Sequence, residues 1–232
     1  VHNPTPCNKH VYFTDDGDIK KHPAQRISEA TARTIPVADP SALEAVLEAI
    51  GRDPTATLIL GFVPGTDDGE PYRLLSKRLM AERLGVEEPA LPGGLQTING
   101  ERWATRTKDT FAPSSWMLFD YDKTEGMPET LRTGDQMEWW SWMCQLIPGL
   151  ASCGALLTAS TSSRVMKNDA PAFQNGGWHA FVQVQEASDI ERFGQDLLIH
   201  ALSTDFGFLR PLFDRETGEV RGQRPWAIFD PS

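Results

Sequence analysis

From Trp116 onward the chain alternates short apolar runs with amphipathic segments, in an order that few folds accommodate. WMLFDYD (Trp116–Asp122) reads as a strand that stays apolar until it ends in two acids. GALLTAS (Gly154–Ser160) reads as a second strand, and GWHAFVQVQ (Gly177–Gln185) alternates like a third with one solvated face. FLRPLFD (Phe208–Asp214) and RPWAIFD (Arg224–Asp230) read as two more, joined by a turn around Thr217–Gly218. Thr133 and Gln136 form a capping box for a helix whose core face is Met137, Trp140, Cys144 and Ile147. Ser188 and Glu191 start another, with Ile190, Phe193, Leu197 and Ala201 inward. The order β-α-β-β-α-β-β predicts an α+β lobe, its helices on one face of a sheet, close to a ferredoxin-like plan.

The preceding segment reads as a separate α/β lobe. Residues 1–36 are polar, proline-containing and without period, and are expected to be mostly irregular. Ser41 with Glu44 opens a helix whose stripe is Leu43, Val46, Leu47 and Ile50, and Gly51 ends it. TATLILGFV (Thr55–Val63) is expected as a buried strand, and Pro71–Leu84 as a helix stopped by Gly85. Pro and Gly dominate VEEPALPGG (Val86–Gly94), which places the boundary between lobes 1–95 and 96–232. A chain of 232 residues is long enough for two such lobes. It opens on Val1 and stops two residues past Asp230, as expected of a piece of a longer protein.

Composition narrows the setting. No apolar run approaches the roughly 18 residues a membrane span needs, and no signal segment opens the chain. Three cysteines, Cys7, Cys144 and Cys153, are an odd and loosely spaced set, which fits free thiols in a reducing cytoplasm. Cys7 and His10 have ligand-like spacing, with His2 and Cys144 as conceivable partners. A structural zinc site normally shows two such short pairs, however, and only one is present. The formal net charge of −10 is unlike that of a protein gripping many phosphates. Basic residues nonetheless cluster locally: Lys20, Lys21, His22 and Arg26; Arg73, Lys77, Arg78 and Arg83; and Arg221 with Arg224. Such patches suit weak binding of a polyanion, although most exposed charges are simply solvated.

The chemistry is concentrated at strand ends. Asp120 and Asp122 lie two apart, so on a strand both carboxylates leave the same face. Two anions that close repel one another unless a cation lies between them, and a divalent metal is the usual solution. Asp230 closes WAIFD in the same way, although an Asp before Pro231 is also an ordinary turn former. His179 follows Gly176 and Gly177, where the missing side chains allow a ligand close to the backbone.

MLFDYD (Met117–Asp122), GWH (Gly177–His179) and IFD (Ile228–Asp230) together resemble the three motifs of the archaeo-eukaryotic primase superfamily. Those motifs are an apolar strand ending in D-x-D, a small residue two before His, and an apolar strand ending in Asp, in that order. The resemblance covers roughly residues 100–232 and is strongest to primases of plasmids, phages and integrated mobile elements. It implies a two-lobed primase-polymerase core with an RRM-like catalytic lobe, acting as a metal-dependent nucleotidyltransferase in DNA replication. It implies that Asp120, Asp122 and Asp230 hold two Mg²⁺ or Mn²⁺ ions, and that His179, beside Gly177, contacts the triphosphate of the incoming nucleotide. It also puts STSSR (Ser160–Arg164), with Ser160, Ser162, Ser163 and Arg164, near the phosphates, although an insertion separates this segment from GWH. Implied partners are a single-stranded DNA template, nucleoside triphosphates and a helicase domain or subunit. Two other readings use the same residues. FDYDKT (Phe119–Thr124) also matches the D-x-D-x-T nucleophile motif of haloacid-dehalogenase-type phosphatases, with Asp120 as nucleophile and Lys167 as the later lysine. A replication-initiator or RNA-binding module on a ferredoxin-like sheet would instead carry exposed aromatic and basic residues on its strands.

Overall fold

The computed structural model describes residues 1, 10–14, 19–22, 27–160, 166–167, 170–171, 177–214 and 216–230. The chain is mixed α+β, with four α-helices and several small sheets among the described residues, and falls into two units, Val1–Ser114 and Ser115–Ser232. Among the described residues no helix is long and apolar enough to cross a membrane.

The first unit holds strands β1 (His10–Phe13), β2 (Ile19–His22) and β3 (Glu29–Arg33), helix α1 (Pro40–Arg52), β4 (Pro71–Leu75), α2 (Lys77–Leu84), β5 (Leu95–Ile98) and β6 (Glu101–Thr105). The first two pair antiparallel, and with β3 they place three short strands in a segment expected to be mostly irregular. A second sheet has the order β3-β4-β6-β5, with β4 and β6 parallel and the outer pairs antiparallel. Helix α1 starts two residues earlier than expected because Asp39, not Ser41, caps it, accepting from the Ala42 N–H at 2.8 Å.

Three further expectations for this unit fail for identifiable reasons. Pro71–Leu84 is a strand followed by a helix. Tyr72 and Leu74 alternate into the core, and Ser76 then caps α2, accepting from the Leu79 N–H. Gly85 does stop the helix, in the left-handed conformation with φ 68°. Thr55–Val63 does not form a strand. Gly61 sits at φ +144°, a conformation that side chains disfavour, and pairing in this segment is reduced to isolated bridges such as that between Phe62 and Ala112. The division lies at Ser114/Ser115 rather than at 95/96, because β5 and β6 complete the first unit's sheet. The two are joined through Asn99 and Gly100, both at positive φ (52° and 82°), the two-residue hairpin turn that an Asn-Gly pair favours.

The second unit follows the predicted element order closely. It holds β7 (Trp116–Tyr121), α3 (Gln136–Leu146), β8 (Ala155–Ala159), the two-residue strands β9 (Met166–Lys167) and β10 (Ala170–Pro171), β11 (Trp178–Gln183), α4 (Ile190–Leu202), β12 (Gly207–Phe213) and β13 (Val220–Ala227). Strand β11 is central and antiparallel to both neighbours, in the order β7-β11-β8, while β12 and β13 form a hairpin. Met117, Phe119 and Tyr121 of β7 and Ala180 and Val182 of β11 turn to one face and pack with Trp139, Met143 and Leu197 of the helices. Leu118, Asp120, His179 and Phe181 therefore belong to the opposite face.

The buried face of α3 is Trp139, Met143 and Leu146, one residue out of step with the expected Met137, Trp140, Cys144 and Ile147. Met137 is exposed, and the other three are only partly buried against the core. The helix also starts two residues later than expected. Asp135, rather than Thr133, caps the helix and accepts from the Met137 and Glu138 N–H groups. The Thr133 hydroxyl instead binds Asp135 N–H and the Glu138 carboxylate. In α4, Leu197 and Ala201 are buried as expected, with Ile190 and Phe193 packed at the margin.

Candidate active site

Antiparallel register brings the first two motifs together. Asp120 on β7 stands directly opposite His179 on β11, and Thr158 of β8 is the other neighbour of His179. The His179 Nε2 lies 3.3 Å from Asp120 Oδ1, an ion-pair distance but off the line of a hydrogen bond. That carboxylate oxygen is buried and, among the described residues, has no hydrogen-bond partner. A buried anionic oxygen without a donor is costly, and it marks a place where a cation would be stabilised.

Asp122 lies just past the end of β7, over Gly177. A Cβ placed on Gly177 would stand 2.7 Å from Asp122 Oδ1, 2.6 Å from the Tyr121 carbonyl oxygen and 3.2 Å from Ser160 Oγ. No side chain fits there, so the small residue of the GWH motif has a steric cause. Ser160 fixes the same corner. Its backbone N–H donates to the Gly177 carbonyl at 3.0 Å, and its hydroxyl accepts from the Gly177 N–H at 3.3 Å. Ser160 is itself buried, so its visible part is to hold the Gly177 peptide beneath Asp122. Ser162, Ser163 and Arg164 lie outside the described residues, as do Cys7 and the side chains of His10 and Lys167.

The third motif reaches the site through the backbone. The Asp230 N–H donates to the Asp120 carbonyl at 2.7 Å, which sets Ile228–Asp230 along the edge of β7 away from β11. Three more contacts hold this segment. The Ile228 N–H donates to the Phe206 carbonyl at 3.1 Å, and the indole N–H of Trp139 donates to the Ile228 carbonyl at 2.9 Å. The Phe229 ring meets Phe119 edge-on, with centroids 6.0 Å apart. Such an aromatic pair contributes about 0.5–1.5 kcal/mol beyond its buried area.

Trp139 and Tyr121 are positioning residues that the sequence did not single out. Tyr121, fully buried between the two acids in sequence, donates its hydroxyl to the Leu131 carbonyl and accepts from the Thr133 N–H, both at 2.9 Å. Burial pushes its phenol above the ordinary tyrosine range, which keeps it a neutral donor. It thereby ties the β7 end to the loop that leads into α3. Alternation along β7 was the available signal for Tyr121. Nothing local distinguished Trp139 from its neighbour Trp140.

The chain matches no protein-family model, no curated protein and no solved structure.

Whether the residues suit divalent cations is decided by their donors. Asp120, Asp122 and Asp230 offer hard carboxylate oxygens, the ligands that Mg²⁺ and Mn²⁺ prefer, and Asp120 Oδ1 lacks a donor. Among the described residues, no group of three or more His, Cys, Asp and Glu side chains is gathered closely enough to hold a metal ion. The backbones of the three motifs are thus adjacent, while their carboxylates are not drawn into one cluster.

Proposed function

We propose that the chain is the catalytic core of a DNA primase-polymerase, with the Ser115–Ser232 unit as its RRM-like catalytic lobe and the Val1–Ser114 unit as its N-terminal α/β lobe. The observation that carries this reading is the hydrogen bond from Asp230 N–H to the Asp120 carbonyl. It joins motifs 110 residues apart at the strand end where His179 also stands opposite Asp120. The strand order supports it as well. With Ile228–Asp230 beside β7, the sequence β8-β11-β7 extends to a fourth position, as in a split βαβ sheet.

In this reading Asp120, Asp122 and Asp230 hold Mg²⁺ or Mn²⁺, which would activate a primer 3′-hydroxyl and neutralise the departing pyrophosphate. His179 donates to a phosphate oxygen of the incoming nucleotide, with Gly177 leaving space beside it. Tyr121 and Trp139 keep the two acid-bearing segments in register. A single-stranded DNA template, nucleoside triphosphates, a cytoplasmic setting and an associated helicase belong to the same proposal.

The test is incubation with primed and unprimed single-stranded DNA, labelled nucleotides and Mn²⁺. Asp120→Asn and Asp122→Asn should each lower extension by roughly a thousandfold. His179→Ala should lower kcat/KM by about tenfold to a hundredfold, the worth of one charge-assisted phosphate contact. Hydrolysis of small phosphate esters, with phosphate trapped on Asp120 and His179→Ala fully active, would instead establish a phosphatase.

A further inference from the structure

The β12–β13 hairpin carries a second feature, which none of the three motifs includes. Arg210 and Arg224 are directly opposite each other across the hairpin, so both side chains leave the same face. Both guanidiniums lie over the ring of Trp226, at 4.8 and 4.3 Å from its centroid. Trp226 is buried beneath them and belongs to the core of the unit. Among the described residues neither Arg210 nor Arg224 has a carboxylate at ion-pair distance, whereas Arg221 of the same hairpin is paired with Asp214. Two cations held against one indole repel each other, and the ring quadrupole offsets only part of that cost. An anion between or above them would offset the rest.

The surroundings decide what kind of anion fits. Leu212 shares this face and is 40% exposed. Opposite it stands Gly222, with nothing within 4 Å of where a Cβ would be, so the backbone beside the two arginines is open. Leu209 is exposed as well, on the other face of the hairpin. A cationic pair on an open, partly apolar ribbon suits a ligand that presents phosphates and flat apolar surface together, which is the character of a single-stranded nucleic acid. A chain of net charge −10 would otherwise repel such a ligand, which makes an uncompensated basic pair the more notable.

We propose that Arg210 and Arg224, stacked on Trp226, form a phosphodiester-binding site for single-stranded nucleic acid on the β12–β13 hairpin. The choice of nucleic acid over another polyanion rests on the polymerase reading, while the anion site itself does not. Trp226 lies four residues before Asp230 on the same run of chain, so a strand held here is tied in sequence to the third acidic motif.

The experiment is fluorescence anisotropy of a labelled oligo-dT with the intact protein in EDTA, across a salt series, so that no catalysis is read. Arg210→Gln/Arg224→Gln should weaken binding at least tenfold. The slope of log affinity against log salt should fall by about 1.4, the release expected for two single-strand phosphate contacts. Arg210→Lys/Arg224→Lys keeps both charges and should hold most of the salt slope, which separates loss of contact from loss of fold. Inorganic triphosphate as competitor distinguishes a nucleotide subsite, because a site for the polymer should yield to oligo-dT far more readily. Unchanged affinity and slope in the Gln pair would overturn the proposal. So would equal competition by triphosphate, or equal weakening in the Lys pair. Extension by the Asp120→Asn protein is measured separately, so a failed polymerase reading leaves this result interpretable.

Discussion

Replacing Trp139 by Phe tests whether one indole holds the third motif in place. Trp139 is fully buried, and its N–H donates to the Ile228 carbonyl at 2.9 Å. Phe keeps a flat apolar ring but removes that donor, leaving a buried carbonyl short of its partner at a cost of about 1–3 kcal/mol. The smaller ring leaves a void worth about 1 kcal/mol more. The expected loss is about 2–4 kcal/mol, a large share of the roughly 5–15 kcal/mol that holds a typical domain folded. In thermal unfolding followed by circular dichroism this corresponds to a fall of roughly 5–15 °C. A local measurement is sharper. Asp230 N–H, bonded to the Asp120 carbonyl, should exchange with deuterium roughly thirtyfold to a thousandfold faster, at tenfold per 1.4 kcal/mol. The control is Trp140→Phe, at a neighbouring residue only partly buried against the core, which should cost under about 1 kcal/mol. The reasoning is refuted if Trp140→Phe is the costlier change, or if Trp139→Phe leaves exchange at Asp230 as it was.

Gly177→Ala should destabilise the second unit by about 1–3 kcal/mol, because its Cβ would stand 2.6 Å from the Tyr121 carbonyl oxygen and 2.7 Å from Asp122 Oδ1. Urea titration of the variant checks this, and an unchanged midpoint would mean that the strand end is not as tight as described. Asn99→Ala should cost about 1 kcal/mol by the same assay, since Asn99 holds φ 52° in the hairpin turn and Ala tolerates that conformation less well. The Asp214 carboxyl is held below the usual carboxylate range, chiefly by the Thr217 and Glu216 N–H groups and further by the Thr217 hydroxyl and Arg221. Its folded pKa is thus lower than its unfolded value of about 3.9. The stabilisation is complete above that value and is lost as pH falls through the folded one. Wild type should therefore lose hairpin stability on acidification more steeply than Asp214→Asn, and parallel pH profiles would contradict the assignment.

Local chemistry by itself determined the element order of the second unit. An apolar run ending in acids gave β7, strict alternation gave β11, and the turn at Thr217–Gly218 gave the β12–β13 hairpin, although β13 stops at Ala227 and leaves Ile228–Asp230 outside the strand expected over Arg224–Asp230. These signals work because strand period, turn residues and stop residues act over a few positions of chain. The same locality explains the errors. Pro71–Leu84 satisfies a helical period as well as an alternating one, and only its place between β3 and β6 makes Pro71–Leu75 a strand. Thr55–Val63 has the composition of a strand but, among the described residues, makes isolated bridges such as Phe62–Ala112 rather than a ladder. Trp139 and Trp140 are equivalent on the page of the sequence. The Ile228 carbonyl, 89 residues away, is the partner of the one that is buried. The site divides in the same way. Asp120, Asp122, Gly177, His179 and Asp230 stand out as residues at strand ends, but that His179 faces Asp120, that Asp122 fills the space of a missing Gly177 side chain, and that Asp230 bonds the Asp120 backbone are matters of register between distant strands. Register is fixed by which apolar faces bury together, and that is decided only when the whole unit closes around its core.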